Sequence, residues 1–289
     1  MSTGALALVL SGALCHALWN IVAKKAGGGL EFVWLFGGVS VIAAAPLALW
    51  VWTVHAQTFT TAMWFAALAS GVIHVLYSLV LQRGYKVGDF AVVYPIARGT
   101  GPVLSVLAAV TFLGEKPSAI GWLGVAAVVA GVFVSAGAAN LLRGNPTRQR
   151  NKGVLWGILT GVFIATYTVI DGWAIKTLGM QPVLFYSVGL LLRTLLLAPF
   201  ALRPSAGLRV QWHTRRWAII LVGVLSPTAY LLVLLALQTT PLSYVAPVRE
   251  ISMLVGTLLG AVFLKEAVRP SQFIGAAMLL LGVVGLALA

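Results

Sequence analysis

Apolar runs of about 20 residues recur along the whole chain, and each is long enough as a helix to cross a hydrocarbon layer about 30 Å thick. Read against turn and charge breaks, they predict spans near 4–23, 32–53, 62–82, 90–112, 118–140, 153–173, 182–202, 217–238, 242–264 and 270–288. The breaks are short and polar: "KKAGGG" after the first span, "RGYKVGD" after the third, "GEKPS" after the fourth. The most polar segment, "RGNPTRQRNKG", falls at mid-chain and reads as a linker. It divides the chain into a first five-helix unit (1–140), a basic linker (141–152) and a second five-helix unit (153–289).

Composition agrees with a membrane solvent. Of 289 residues 60% are hydrophobic and 9% charged, and the mean hydropathy of +1.00 excludes an ordinary soluble domain. A net charge of +13 raises the question of nucleic acid, but the 19 Lys and Arg stand singly or in pairs at the ends of apolar runs, without a continuous basic face. With ten spans, 14 of them fall in loops on one side and only Lys116 and Lys176 on the other. The positive-inside rule then makes the basic side cytoplasmic and puts both termini opposite. Three basic residues remain inside spans: Arg98, Arg193 and Arg249. The first run has no basic residue before it and has Lys24 and Lys25 after it, the reverse of a secretory signal, so it reads as a retained span. A single cysteine, Cys15, excludes an intramolecular disulfide, and no Cys/His spacing calls for zinc; no metal or cofactor is expected.

The two halves repeat each other. "TFLGEKPSAIGWLGVAAVVAGV" (111–132) aligns with "VFLKEAVRPSQFIGAAMLLLGVVG" (262–285), pairing Phe112, Leu113, Glu115, Gly124 and Gly131 with Phe263, Leu264, Glu266, Gly275 and Gly282 at one offset, 151. That offset makes Arg98 and Arg249 twins. "SGVIHVLYSLVLQ" (70–82) against "SPTAYLLVLLALQ" (226–238) further pairs Ser70 with Ser226, His74 with Tyr230 and Gln82 with Gln238. Five spans per repeat is an odd number, so the second repeat must enter the membrane from the opposite side. The expected fold class is an all-α membrane protein, ten transmembrane helices in two inverted five-helix repeats around a central cavity, with substrate at the repeat interface.

The opening "GALCHALWNIVAKKAG" (12–27), the block "VVYPIARGTGPVLSVLAAVTFLGEKPSAIGWLGVAAVVAGV" (92–132) and its second-half copy around "FLKE" (263–266) carry a resemblance to the EamA-like branch of the drug/metabolite transporter superfamily. It covers essentially the whole chain. It implies ten helices in two inverted bundles, a central cavity, residence in a bacterial inner membrane, and export or exchange of amino acids or other small metabolites, aromatic amino acids among them. Such transporters are commonly given cytoplasmic termini, whereas the charge count here places the termini outside.

Intramembrane charge is the first place to look for chemistry, because a cation at a helix centre costs about 2.5–3.5 kcal/mol. Arg98 lies nine residues past Asp89, about 14 Å of helical rise into the membrane. Pro95, Gly99, Gly101 and Pro102 surround it, and Pro247 precedes Arg249. Breakers of this kind are tolerated where a helix lines a cavity or packs on neighbours. An arginine there binds a carboxylate bidentately; the alternative is an internal pair, with Glu250 for instance, that locks the bundle. Glu250 and Arg249 are adjacent, hence about 100° apart on a helix, and each needs another partner. Glu250 reads either as a proton-binding group or as the neutraliser of Arg98 across the repeat interface. Arg193, with no breaker beside it, reads as a packing or snorkelling residue.

His16, Trp19 and Asn20 share one face of span 1 at i, i+3 and i+4, and His74, Tyr77 and Ser78 repeat that spacing on span 3. Span 8 carries Ser226, Thr228 and Tyr230, span 6 Thr166, Tyr167 and Thr168, and span 4 Tyr94. Such groups also glue membrane helices together, at about 0.6 kcal/mol per hydrogen bond. Convergence of arginines, histidines and aromatic rings instead describes a ligand pocket. The candidate substrate-binding set is His16, Trp19, Asn20, His74, Tyr77, Ser78, Tyr94, Arg98, Tyr167, Tyr230, Arg249 and Glu250, in a cavity expected between spans 1, 3, 4, 6, 8 and 9. Trp50, Trp52, Trp64, Trp122, Trp212 and Trp217 sit near span ends, as interfacial belts do. Glu115 and Glu266 read as architectural caps.

With no G-x-x-x-x-G-K-[ST] phosphate loop, the leading function is a secondary transporter working by alternating access. A channel or lipid-handling bundle stays open, and an intramembrane enzyme using His16 or His74 lacks a recognisable nucleophile–base pair or metal set. The expected partners are a small-molecule substrate and the lipid bilayer, with no nucleic acid; the sequence is compatible with a monomer and does not fix oligomeric state.

Overall fold

A computed structural model describes residues 1–27, 29–88, 90–135, 137, 148–203, 207–264 and 269–289. Among them the regular structure is helical: α1 (Thr3–Ala26), α2 (Leu30–His55), α3 (Thr61–Val87), α4 (Phe90–Phe112), α5 (Ala119–Ser135), α6 (Arg148–Lys176), α7 (Pro182–Ala201), α8 (Leu208–Leu237), α9 (Leu242–Val248), α10 (Ile251–Leu264) and α11 (Pro270–Leu288). Local chemistry sets many of the ends. Ser2 and Thr60 accept backbone amides at the starts of α1 and α3. Gln181 caps α7, with Pro182 at the first helical position. Gly27 closes α1 in the left-handed conformation behind Lys24 and Lys25, whose charges suit the negative end of the helix dipole.

Nine segments among the described residues are helical, long enough and apolar enough to cross a membrane; α5, with 17 residues, is shorter. Residues 136 and 138–140 of its expected span lie outside the described residues, as do 141–147 of the expected linker. The rest of that linker is helical, since α6 begins at Arg148 rather than at 153. The expected ninth span is two helices. Pro247 has no amide hydrogen to continue the ladder, and around Arg249 and Glu250 the bonding tightens. The Glu250 amide donates to the Pro247 carbonyl (2.9 Å), and the Ser252 and Met253 amides to the Arg249 and Glu250 carbonyls (3.1 and 2.9 Å).

The dominant helix contacts join the first half of the chain to the second: α5 with α11, α4 with α6, α1 with α8 and α10, α2 with α7 and α8, α3 with α6 and α7. The halves interleave instead of forming two separate bundles. Exchanging span k for span k+5 turns this set of contacts into itself. Glycines make the closest one possible. A Cβ on Gly124 would stand 2.9 Å from the Gly282 carbonyl oxygen, and one on Gly275 2.5 Å from that of Gly131. Small residues allow such backbone approach within a membrane, and these are the four glycines that the internal repeat aligns.

Toward the ends of the helices away from the basic loops, the bundle is packed shut by apolar side chains including Val9, Met63, Ala66, Ala67, Ala174, Ile175 and Leu237. The loops on that side are tied across the halves. Glu115 accepts from the Leu242 and Ser243 amides (2.7 and 2.8 Å) and pairs with Lys176 (3.2 Å), which also donates to the Thr240 carbonyl. Glu115 is thus a cap, though for α9 and not for its own following turn; Glu266 lies outside the described residues. The Gln57 side chain spans the gap to the Gly179 carbonyl and the Gln181 amide. The six tryptophans expected at span ends are all exposed.

Candidate functional site

A cavity of about 360 Å³ lies within the bundle, bordered by α1, α2, α3, α4, α6, α7, α8 and the junction of α9 and α10. On α1 the bordering residues run from Gly12 to Asn20, on α3 from His74 to Tyr85, and on α6 from Thr160 to Tyr167. The α1 and α3 stretches extend from mid-helix toward the basic-loop ends, and the α6 stretch lies at mid-helix. The cavity therefore runs from the middle of the bundle toward the basic-loop side, away from the apolar, loop-tied closure.

Eleven of the twelve candidate residues border it; Glu250 stands behind, against Arg98. The lining is wider than expected, because α2 adds Trp34, Phe36 and Ser40 and α7 adds Tyr186, Arg193 and Thr194. Neither helix carries a polar face strong enough to stand out in sequence. Arg193, expected to pack or snorkel, packs on Tyr186 and also borders the cavity. Thr166 and Thr228 do not line it; each hydroxyl donates to a carbonyl of its own helix. Thr228 lies two residues from Tyr230, hence on nearly the opposite side of α8.

Three polar groupings define the walls. In the first, Arg98 on α4 reaches across the halves to Glu250 (2.9 Å) and donates to the Ser252 hydroxyl (3.0 Å). The side chains of this ion pair are 13% and 4% exposed. In the second, the Arg249 guanidinium lies 5.4 Å over the ring of Tyr230, which is 6.2 Å from the ring of Tyr167. The Tyr230 hydroxyl donates to Asp171 Oδ2 (2.5 Å), and the Ser70 hydroxyl to Asp171 Oδ1 (2.6 Å). The third is on α7, where Arg193 lies 5.1 Å over Tyr186 and donates from Nε to the Gly189 carbonyl. The Tyr186 and Tyr230 rings are 5.4 Å apart, so the last two groupings form one row.

His74 stacks on Tyr167 at 4.0 Å and contacts the Ser70 hydroxyl and carbonyl through Nδ1. His16 and Trp19 meet edge to face at 5.0 Å. Asn20 and Ser78 donate within their own helices, to the His16 and His74 carbonyls, and act mainly as cavity boundary. Asp171, 1% exposed, is the site residue missed from sequence. The signal that marks it in sequence is its place as the lone acid of the apolar stretch "TVIDGWA" (168–174). No group of three or more His, Cys, Asp or Glu suited to a metal occurs among the described residues.

Residues 3–137 and 151–288 each match the model of the EamA-like transporter family. The chain belongs to that family. It is an integral, multi-pass membrane transporter of small molecules. A relative from Bacillus subtilis (strain 168), the uncharacterized transporter YwfM, is 23% identical over 253 residues, covering 86% of this chain and 79% of its own length. A protein of known crystal structure superposes with a TM-score of 0.77 at 15% identity, covering 100% of this chain and 98% of its own, a likeness that concerns the fold alone. The family and the bacterial relative both carry transporter names and not enzyme names.

Proposed function

We propose that the protein is a secondary transporter that works by alternating access on small metabolites joining a carboxylate to an aromatic or apolar body, the class to which aromatic amino acids belong. The observation that carries this reading is the cavity itself: about 360 Å³, walled by arginines, tyrosines and histidines from both halves, and backed at one end by a packed apolar closure. A volume in that range suits a metabolite of this size.

Ten spans in two inverted repeats supply the machinery. Support comes from the match of the family to each half in turn, the exchange pattern of helix contacts and the reciprocal glycine approaches of α5 and α11. Two such repeats rock about a shared central site. The other state requires the Glu115–Lys176–Thr240 tie to part while the basic-loop end closes. With the basic loops cytoplasmic, in a bacterial inner membrane, the cavity loads from the cytoplasm, and the direction of work is export or exchange.

The test is counterflow in proteoliposomes with aromatic carboxylates and amino acids. Uptake that saturates and is accelerated by substrate on the far side is the expected result. Flux that rises linearly with concentration, without acceleration from the far side, describes a channel and overturns the proposal. The Lys176→Met variant, which unlatches the closed end, is expected to shift the rate of exchange while leaving substrate binding in place.

A further inference from the structure

The charges around the cavity do not balance. Of six acidic residues in the sequence, Glu31, Glu115, Asp171 and Glu250 are among the described residues. Glu31 opens α2, and Glu115 holds Lys176 and the start of α9 at the closed end. Glu250 is committed to Arg98. Asp171 is buried, its two oxygens occupied by the Ser70 and Tyr230 hydroxyls. The cavity lining thus presents three guanidiniums, those of Arg98, Arg193 and Arg249, and no carboxylate among the described residues.

Arg193 and Arg249 form no ion pair with a described carboxylate; the buried Asp171 acts on both, and Glu250 on Arg249, only at longer range, so three guanidiniums face two acids that are already engaged. Each lies over a tyrosine, and those tyrosines touch, so two cations flank one aromatic pair. Cations held in apolar surroundings demand a counter-charge. A zwitterion brings no net charge, and its ammonium needs an acceptor of its own. The lining offers none that is anionic, and the Tyr186 and Tyr230 faces, which would otherwise attract an ammonium, already carry guanidiniums.

We infer that the cavity selects organic anions over zwitterions: an aromatic or apolar body bearing a carboxylate and no ammonium, with the carboxylate held by Arg193 and Arg249 and the body against the rings of Tyr167, Tyr77 and Trp19. Arg98, engaged by Glu250 and Ser252, completes the wall without anchoring the anion. This rests on the reading of the cavity as the transport site. Discrimination here is a difference of affinities, built by withholding the partner that the wrong substrate needs.

Calorimetric titration of the purified full chain in detergent tests it with three probes sharing one phenyl–two-carbon body: 3-phenylpropionate, phenylalanine and 2-phenylethylamine, an anion, a zwitterion and a cation. The expected order is 3-phenylpropionate bound at least about tenfold more tightly than phenylalanine, with no binding of the amine. Arg193→Gln and Arg249→Gln are each expected to weaken 3-phenylpropionate at least about tenfold. Arg249→Lys, which keeps the charge and loses the fork, should retain an intermediate affinity and so separate loss of the anchor from loss of fold. Equal affinity for 3-phenylpropionate and phenylalanine overturns the inference and leaves the carboxylate transporter standing. Binding of the amine alone, or of none of the three, overturns both. Unchanged affinity in both glutamine variants also overturns it.

Discussion

Arg98 and Arg249 occupy equivalent places in the two halves, yet one is built into the fold and the other is left facing the cavity. Arg98 sits in an unbroken helix and meets a carboxylate and a hydroxyl. Arg249 sits where the helix is broken, lies over the ring of Tyr230 and forms no ion pair with a described carboxylate. The cause is one position: where the second half has Glu250, the first has Gly99. That glycine faces the ring of Phe133, and a Cβ there would come within 2.4 Å of it. The acid of the second half therefore serves the arginine of the first, and no counterpart returns the service. Repetition supplied two cations; divergence at the neighbouring position gave one a structural partner and left the other for substrate.

Removing the partner should have the largest effect. Glu250→Ala strands Arg98 as a nearly buried charge and is expected to lower stability by about 3–5 kcal/mol, read from unfolding in mixed micelles. Arg98→Met combined with Glu250→Leu should recover most of that loss, because an apolar pair of similar volume is often neutral in place of a buried ion pair. Failure to recover would mean that the pair does more than neutralise itself. Next comes Gly99→Ala, which forces Phe133 aside at an expected cost of about 1–3 kcal/mol. The smallest stability change is expected for Arg249→Ala, which gives up a cation–π contact of about 0.5–2 kcal/mol; the same variant should lose saturable transport. Comparable destabilisation by Arg249→Ala and Glu250→Ala would erase the difference between the two regions.

Much of this was legible in the sequence, for physical reasons. Spans declare themselves because hydrocarbon demands length and apolarity at once, and the i, i+3, i+4 rule puts His16 with Trp19 and His74 with Tyr77 on the cavity faces. The 151-residue offset finds the twin arginines and the four glycines that later meet between α5 and α11. Pairing is harder to read. Glu250 lies 152 positions from Arg98, and the sequence offered Arg98 both an internal partner and a substrate without choosing. Arg193 and Asp171 escaped because their roles depend on how α7 and α6 are rotated against their neighbours, which no local spacing records. The α2 wall escaped for the opposite reason: it joins the site through apolar rings and the small residues Gly37 and Ser40, which look the same facing lipid or cavity.

The most direct test is ligand-dependent stabilisation of wild type, Arg98→Met/Glu250→Leu and Arg249→Ala, each melted with and without an aromatic carboxylate at about 100 times its dissociation constant for wild type. Binding at that level adds about 2.7 kcal/mol to a protein that recognises the ligand. Wild type and the double variant should gain it, and Arg249→Ala, folded in the absence of ligand, should gain almost nothing. If Arg249→Ala is stabilised as fully as wild type while the double variant is not, the roles are reversed: Arg98 is the anchor, and the account of an arginine left free for substrate is wrong.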